Sequence, residues 1–298
     1  MDCVVNVRKA AGPTSHDVVN QVRRIFHQKR VGHAGTLDPM ATGVLVVCLG
    51  KATRIVEYLV GGAKEYRARM ILGMTTDTQD STGETLTQRD ASGVTFDALC
   101  EAAAGFVGEI EQVPPMVSAI KHQGKPLYKL AREGKTIERA ARKVTIHGIE
   151  IAGFMPGERA EAELVVRCSS GTYIRTLCAD IGETLGCGAS MSALERTRVG
   201  RFSIEDSVTV EQLMDAESSG TLDGMVTGID EAISDMPAVV LGEDDIGRVM
   251  HGIAVGHDAT ASEGAVMRMV AADGRLVAIG TVSGAVVRPH KVIEVTDR

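Results

Sequence analysis

Tryptophan is absent from this chain, and aromatic residues make up only 3% of its 298 positions. Aliphatic side chains must therefore build the core. No run of eighteen apolar residues occurs, which excludes a transmembrane helix. The opening residues Met1-Asp2-Cys3-Val4-Val5 lack a basic start followed by a long apolar stretch, so no signal peptide is expected. The six cysteines (Cys3, Cys48, Cys100, Cys168, Cys178 and Cys187) contain no C-x-x-C pair. They read as reduced, mostly buried thiols of a cytoplasmic protein. No Cys/His cluster has ligand spacing, so no metal site is expected. Internal repeats are also missing.

Hydrophobic residues reach 44%, enough for a real core in one large domain plus a small one. Net charge is −7, which taken alone argues against a polyanionic partner. Its distribution changes that. Residues 201–298 hold 7 Lys+Arg against 17 Asp+Glu, whereas the first 200 hold 25 against 22. Binding to a polyanion depends on the local patch rather than the total. The acidic last third is read as a solvated, solubilising surface.

Along the chain, Thr14 and Ser15 are N-cap candidates for a helix with Val18, Val19, Val22, Ile25 and Phe26 on one face. Arg23, Arg24, Lys29 and Arg30 crowd its far end, where the helix dipole favours cations. Residues 44–49 and 64–73 read as strands, 75–84 as a polar loop and 96–106 as a helix. Pro114-Pro115 opens a basic segment that runs to Lys143 and carries Lys121, Lys125, Lys129, Arg132, Lys135, Arg139 and Arg142. Lys129 and Glu133 have the i,i+4 spacing of a surface helix pair. From charge alone, the segment fits an insertion gripping phosphates or a solvated helical face about equally. Residues 144–151 and 162–168 read as strands, and a helix runs from 171 to 185. Beyond residue 235 the pattern turns β-rich. Asp273-Gly274 joins two apolar runs as a hairpin, and Val286-Val287 and Val292-Ile293 suggest further strands.

The segment Gly32-His33-Ala34-Gly35-Thr36-Leu37-Asp38-Pro39-Met40-Ala41-Thr42-Gly43 is the richest in chemistry. Glycine frees the backbone and proline fixes it, so this is a shaped loop. A carboxylate on such a loop beside a His is a way to present a nucleophile or base. Taken singly, Asp38 is better read as a turn-capping Asp, and Tyr66 and Leu194 as core residues, with His33 a turn histidine bonded to backbone. Other motifs fail. Gly43 to Gly50-Lys51 is too long for a phosphate loop, and Asp77, Asp80 and Glu84 lack calcium-loop spacing.

The loop resembles the G-H-x-G-x-L-D-P-x-A-x-G motif of TruB-type tRNA pseudouridine synthases, with every fixed position met. Lys64-Glu65-Tyr66 is similar to a second motif, and Gly171-Thr172-Tyr173-Ile174-Arg175 to a third. Lys9-Ala10-Ala11-Gly12-Pro13-Thr14-Ser15 is like the first motif, with Ala10 where the family has Pro. The segments 113–121 and 127–134 are similar to the insertion with which bacterial members clasp the T-arm. The resemblance runs in order from about residue 6 to about residue 214.

It implies an α+β pseudouridine synthase fold: a mixed, mainly antiparallel sheet with flanking helices, then a small β-rich, PUA-like module. The implied domains are a catalytic one at 1–235, with the insertion at about 114–143, and an RNA-binding one at 236–298. The implied activity is isomerisation of the T-loop uridine (uridine 55 in tRNA numbering) without cofactor or metal. Asp38 would be nucleophile or base, with Arg175 pairing with it to keep it ionised and Tyr66 against the target uracil. His33 would fill the space left by the extruded base, Tyr173 and Leu194 would line the pocket, and Lys64 and Lys9 would contact substrate. The implied partner is tRNA through its T-arm, with a monomeric protein, no protein partner and no membrane. A tRNA-folding factor and a guide-RNA complex subunit are the alternatives, with a glycoside hydrolase more distant.

Overall fold

A computed structural model describes residues 1–293 other than 119, 123, 136 and 258–260. Ala119 of the basic segment lies outside the described residues, as do the side chains of Lys121, Tyr128 and Arg132.

In chain order, β1 (Cys3–Lys9) is followed by α1 (Ser15–Ile25), β2 (Val31–His33), β3 (Thr42–Leu49), α2 (Val56–Val60) and β4 (Lys64–Leu72). Next come β5 (Met74–Thr76), β6 (Thr85–Gln88), α3 (Phe96–Ala104) and β7 (Gly108–Gln112). Two short strands, β8 (Lys121–His122) and β9 (Lys125–Pro126), precede α4 (Leu127–Arg132). The chain then returns through β10 (Arg142–Met155), β11 (Glu161–Cys168), α5 (Ile174–Thr184), β12 (Ala189–Val199) and β13 (Phe202–Ser203). Helices α6 (Val210–Ser219) and α7 (Ile229–Ala232) lead to β14 (Ala238–Leu241), α8 (Glu243–Met250), β15 (Val255–Gly256), β16 (Val266–Ala271), β17 (Leu276–Ser283) and β18 (Val286–Val292).

The main sheet has the order β1-β3-β12-β4-β11-β10-β7, with β2 and β13 at its margins. All its pairings are antiparallel except the short β3–β12 contact. Alternation on β4 sorts the layers. Tyr66, Ala68 and Met70 turn inward, while Arg67 and Arg69 face water. The inward face meets Val18 and Val22 of α1, Leu99 of α3, and Leu177 and Ile181 of α5. Strand β3 is buried on both faces, which explains its unbroken apolar run. Its Leu45 and Val47 join that core, and Val44 and Val46 join a second one.

The second core is shared with the terminal sheet, β14-β16-β17-β18-β15, through Val270, Leu276, Ile279 and Ile293. The expected hairpin at Asp273-Gly274 forms between β16 and β17. Three readings need correction. Part of the polar loop at 75–84 belongs to a hairpin, β5–β6. The two last strand fragments are one strand, β18, because Pro289 sits at a register shift where a missing N–H breaks no ladder. Helix α8 was hidden in acidic residues that fill its first turn, while Val249 is buried.

Thr14 caps α1 in a capping box with Asp17. The basic segment leaves the sheet between paired strands β7 and β10, as an insertion does. Its Glu133 pairs with Lys135 at 2.8 Å, not with Lys129 as the spacing suggested. Among the described residues no helix is long and apolar enough to cross a membrane.

Candidate active site

Residues 34–41 join β2 to β3, and buried side chains from four directions hold the loop and its entry into β3. The Ser15 hydroxyl at the start of α1 accepts from the Leu37 N–H at 2.8 Å and donates to its carbonyl at 3.1 Å. Lys9 at the end of β1 is fully buried. Its ammonium donates to the carbonyls of Ala10, Pro39 and Ala41 at 2.9, 3.0 and 2.7 Å. Arg196 on β12 is equally buried and donates to the carbonyls of Val44 (2.8 Å), Gly35 (3.0 Å) and Thr36 (3.4 Å). At the loop's exit Gly43 adopts φ +99°, and a Cβ there would lie 2.2 Å from the Arg196 carbonyl oxygen. Only glycine fits that crossing of β3 and β12.

The fourth support is Arg175, in the first turn of α5. Its Nε and Nη2 reach the two carboxylate oxygens of Asp38 at 3.0 and 3.2 Å, a two-point grip that fixes the direction of the carboxylate. Arg175 is itself held by the carbonyls of Val117 at 2.9 Å and Thr78 at 3.3 Å. A second carboxylate, Asp80, lies 3.5 Å from its Nη1. Asp80 is buried and accepts from the hydroxyls of Thr78 and Thr82 and the Thr82 N–H, at 2.8, 2.5 and 3.0 Å. Gln79 beside it has φ +63°, held by the Thr176 hydroxyl at 2.9 Å and the Met191 N–H at 3.0 Å. The side chain of Arg175 is 4% exposed and that of Asp38 34%, so the carboxylate, not the guanidinium, faces open space.

Burial pushes the Asp38 carboxyl above the ordinary aspartate range. Arg175 opposes the rise, Asp80 adds to it and Lys9 opposes it. Arg175 acts in the expected direction, favouring the ionised carboxylate, and desolvation is the larger influence.

Asp38 opens onto a cavity of about 330 Å³ lined also by Tyr66, Tyr173, Leu194, Lys64 and Arg196. Tyr66 and Leu194 enter from adjacent strands and are nearly buried. Burial raises the Tyr66 phenol, with Arg196 opposing. Lys64 donates to the carbonyls of Val60 and Gly62 at 2.8 and 3.1 Å. Burial, then the Arg196 charge, lowers it to about 8. Tyr173 caps the start of α5, and its backbone is clasped by Gln112 of β7. The Tyr173 N–H donates to the Gln112 amide oxygen at 3.0 Å, and the amide NH2 returns a bond to the carbonyl at 3.3 Å.

His33 lies apart from these groups. It lines a second cavity of about 680 Å³ that shares Thr36, Leu37, Asp38 and Ser118 with the first. Its Nδ1 is buried without a hydrogen-bond partner, and burial lowers its pKa. Lys9, expected on substrate, lines neither cavity. Its ammonium is committed to the loop carbonyls, and burial lowers it to about 8.

Three residues escaped the sequence reading: Asp80, Arg196 and Gln112. Asp80 was tested only for calcium spacing. Arg196 left a signal, because it follows Leu194 by two on an alternating strand and so puts a charge on the inward face. Gln112 left none.

A model of the TruB family pseudouridylate synthase N-terminal domain matches residues 23–174, and one of the tRNA pseudouridylate synthase B C-terminal domain matches 175–234. The chain is 50% identical to tRNA pseudouridine synthase B of Pelotomaculum thermopropionicum over 256 residues, 85% of this chain and 80% of that protein. It is 42% identical to the Moorella thermoacetica protein of the same name over 301 residues, 97% of this chain and 98% of the relative. Among solved structures, a chain from an H/ACA RNP bound to a substrate RNA containing 2′-deoxyuridine superposes with a TM-score of 0.77 at 28% identity. It covers 99% of this chain and 86% of that one. A chain of a Cbf5-Nop10-Gar1 complex gives 0.77 at 31%, covering 98% and 85%. The α+β architecture, with its mixed, mainly antiparallel sheet, is that of these enzymes, and this chain belongs to the TruB family of pseudouridylate synthases.

Proposed function

We propose that this protein isomerises uridine 55 of the tRNA T-loop to pseudouridine. One observation carries the reading. The Asp38 carboxylate, aimed by a two-point bond to Arg175, opens onto a one-base cavity that also holds the Tyr66 ring. The reaction breaks the N1–C1′ glycosidic bond, turns the uracil and joins C5 to C1′. The C5 proton leaves and N1 regains one, so substrate and product are isomers and no redox cofactor is needed. Asp38 acts as nucleophile or base. Arg175 orients it, Tyr66 stacks on the uracil, and Tyr173, Leu194 and Lys64 shape the pocket. His33, with its unpartnered ring nitrogen, takes the place of the base that extrusion removes from the stack. Lys9 and Arg196 hold the loop that carries Asp38.

Asp38 is the one carboxylate among the described residues of the cavity wall, and Asp80 turns to Arg175 instead. That arrangement disfavours a glycoside hydrolase, which commonly places two acids across the bond. The same proposal assigns residues 1–235 to catalysis, the excursion after Pro115 to the T-arm, and the terminal sheet of 236–298 to RNA. The protein works as a cytoplasmic monomer without protein partners.

The test is tritium release from tRNA labelled at uridine C5. Wild type should release label and Asp38→Asn should not, while both bind tRNA; turnover by Asp38→Asn removes the assignment. The H/ACA likeness favours a second reading, a subunit that needs guide RNA and partners. Failure to modify a bare T-arm hairpin would select it.

A further inference from the structure

The cavity is surrounded by cations already committed. Arg175 serves Asp38 and Asp80. Arg196, Lys64 and Lys9 serve backbone carbonyls. Arg175 and Lys9 have every N–H engaged, and Arg196 and Lys64 are buried side chains that hold backbone carbonyls. A nucleotide whose base enters this cavity brings two phosphodiesters to its mouth, each with a full negative charge.

Arg142, the first residue of β10, stands at that mouth. Its cross-strand partner is Gln112. Directly opposed residues of an antiparallel pair project from the same face. The Gln112 side chain reaches the backbone of Tyr173 through two hydrogen bonds, so Arg142 projects toward Tyr173 as well. Consistent with this, the Arg142 charge is among the influences that hold down the Tyr173 phenol, which burial pushes up. Tyr173 lines the cavity and the exposed Arg142 does not, which puts Arg142 outside the wall, on the Tyr173 side. Arg142 is exposed, and among the described residues it has no hydrogen bond or ion pair. The next residue, Lys143, faces the other way and is neutralised by Glu109 at 2.8 Å.

We propose that Arg142 is the anchor for a phosphodiester flanking the extruded uridine. The guanidinium fork suits two-point binding of phosphate oxygens. The clamp through Gln112 and Tyr173 ties that anchor to the first turn of α5, and hence to Arg175. Backbone capture and the aim of Asp38 therefore share one rigid support. The inference rests on the reading of the cavity as a uridine site, and its test is a binding measurement that does not require turnover.

T-arm hairpins are made with a methylphosphonate, which removes one negative charge, at the phosphate 5′ or 3′ of the target uridine, or in the distal stem as control. Affinities are measured for wild type, Arg142→Gln and Arg142→Lys across a salt series. For unmodified hairpin, Arg142→Gln is expected to weaken binding by about tenfold and to lower the slope of log Kd against log salt by about 1. Arg142→Lys should recover part of the loss, as a point charge without the fork. One of the two flanking methylphosphonates should weaken wild type by a similar factor and leave Arg142→Gln unchanged. The distal one should weaken both proteins equally. If Arg142→Gln keeps the wild-type slope, or remains as sensitive to both flanking modifications as wild type, the anchor is refuted. Tritium release at saturating RNA separates the two levels. Absence of release by wild type overturns the uridine reading, whereas normal release with no coupling overturns only Arg142.

Discussion

The loop at 34–41 and the excursion at 113–141 both face the same cavity, and they are built in opposite ways. Lys9, Ser15, Arg175 and Arg196 approach the loop from separate elements, and all four are nearly buried. The excursion carries six Lys or Arg against two Glu between residues 113 and 141. Its Lys125, Lys129 and Lys135 stand in solvent. It is pinned at few points, among them buried Leu127 and Leu130 and the bond from Arg175 to the Val117 carbonyl. Chemistry on a glycosidic bond needs a carboxylate held to a fraction of an ångström before substrate arrives. Gripping a phosphate backbone needs charge within reach, and screened surface charges tolerate movement. The loop turns its polar groups on itself, whereas Lys125 and Lys129 of the excursion stand in solvent.

That comparison breaks most sharply at Gly43. Alanine there must place its Cβ 2.2 Å from the Arg196 carbonyl oxygen and adopt φ +99°. Relief requires β3 and β12 to part, which pulls Arg196 off Gly35 and Thr36. Gly43→Ala is expected to cost about 3 kcal/mol of stability, from overpacking plus an unfavourable backbone. Urea denaturation measures it. A midpoint equal to wild type would mean that the loop slides without loss and is not the rigid partner in the contrast.

Asp80 tests whether the rigidity serves chemistry. Asp80→Asn keeps the shape of the side chain but removes the charge opposite Arg175. A buried charge pair of this kind contributes about 2 kcal/mol, so kcat should fall about thirtyfold with KM nearly constant. The pH profile gives a second readout. As the proposed nucleophile or base Asp38 must be ionised, and its carboxyl lies above the ordinary range, with Asp80 contributing to the rise. The acid limb of kcat in wild type should therefore fall above the range of a free aspartate. In Asp80→Asn it should move to lower pH. A lower kcat with an unmoved limb would make Asp80 a packing residue only.

What the sequence made legible follows the same division. The loop announced itself, because Gly, Pro and Asp in a fixed order describe a backbone shape. The pairing of Asp38 with Arg175 was readable as a resemblance, and the two side chains lie 3.0 Å apart. Asp80 was not readable, because its role comes from the hairpin β5–β6 and the left-handed Gln79, neither of which shows in a polar stretch. Lys9 was misplaced because a lysine beside a catalytic motif looks like a substrate contact. Its three carbonyl partners are distant in sequence or invisible without the fold. In the terminal region, acidity concealed α8 and Pro289 concealed the continuity of β18, since both were judged by composition rather than by the ladder they join.

The gentlest test falls on the excursion. Lys125 and Lys129 are exposed. Replacing both with Gln removes two charges and disturbs no described hydrogen bond. Each exposed phosphate contact contributes only part of a kcal/mol at physiological salt. The double variant should raise KM for tRNA about threefold, leave kcat within error, and flatten the salt dependence of KM. Stability should be unchanged, because neither ammonium supports the core. A fall in kcat instead would mean that these lysines close the excursion over the cavity, through Val117 and Arg175, rather than simply holding RNA. The two regions would then form a single mechanism, in which RNA binding at the excursion completes the setting of Asp38.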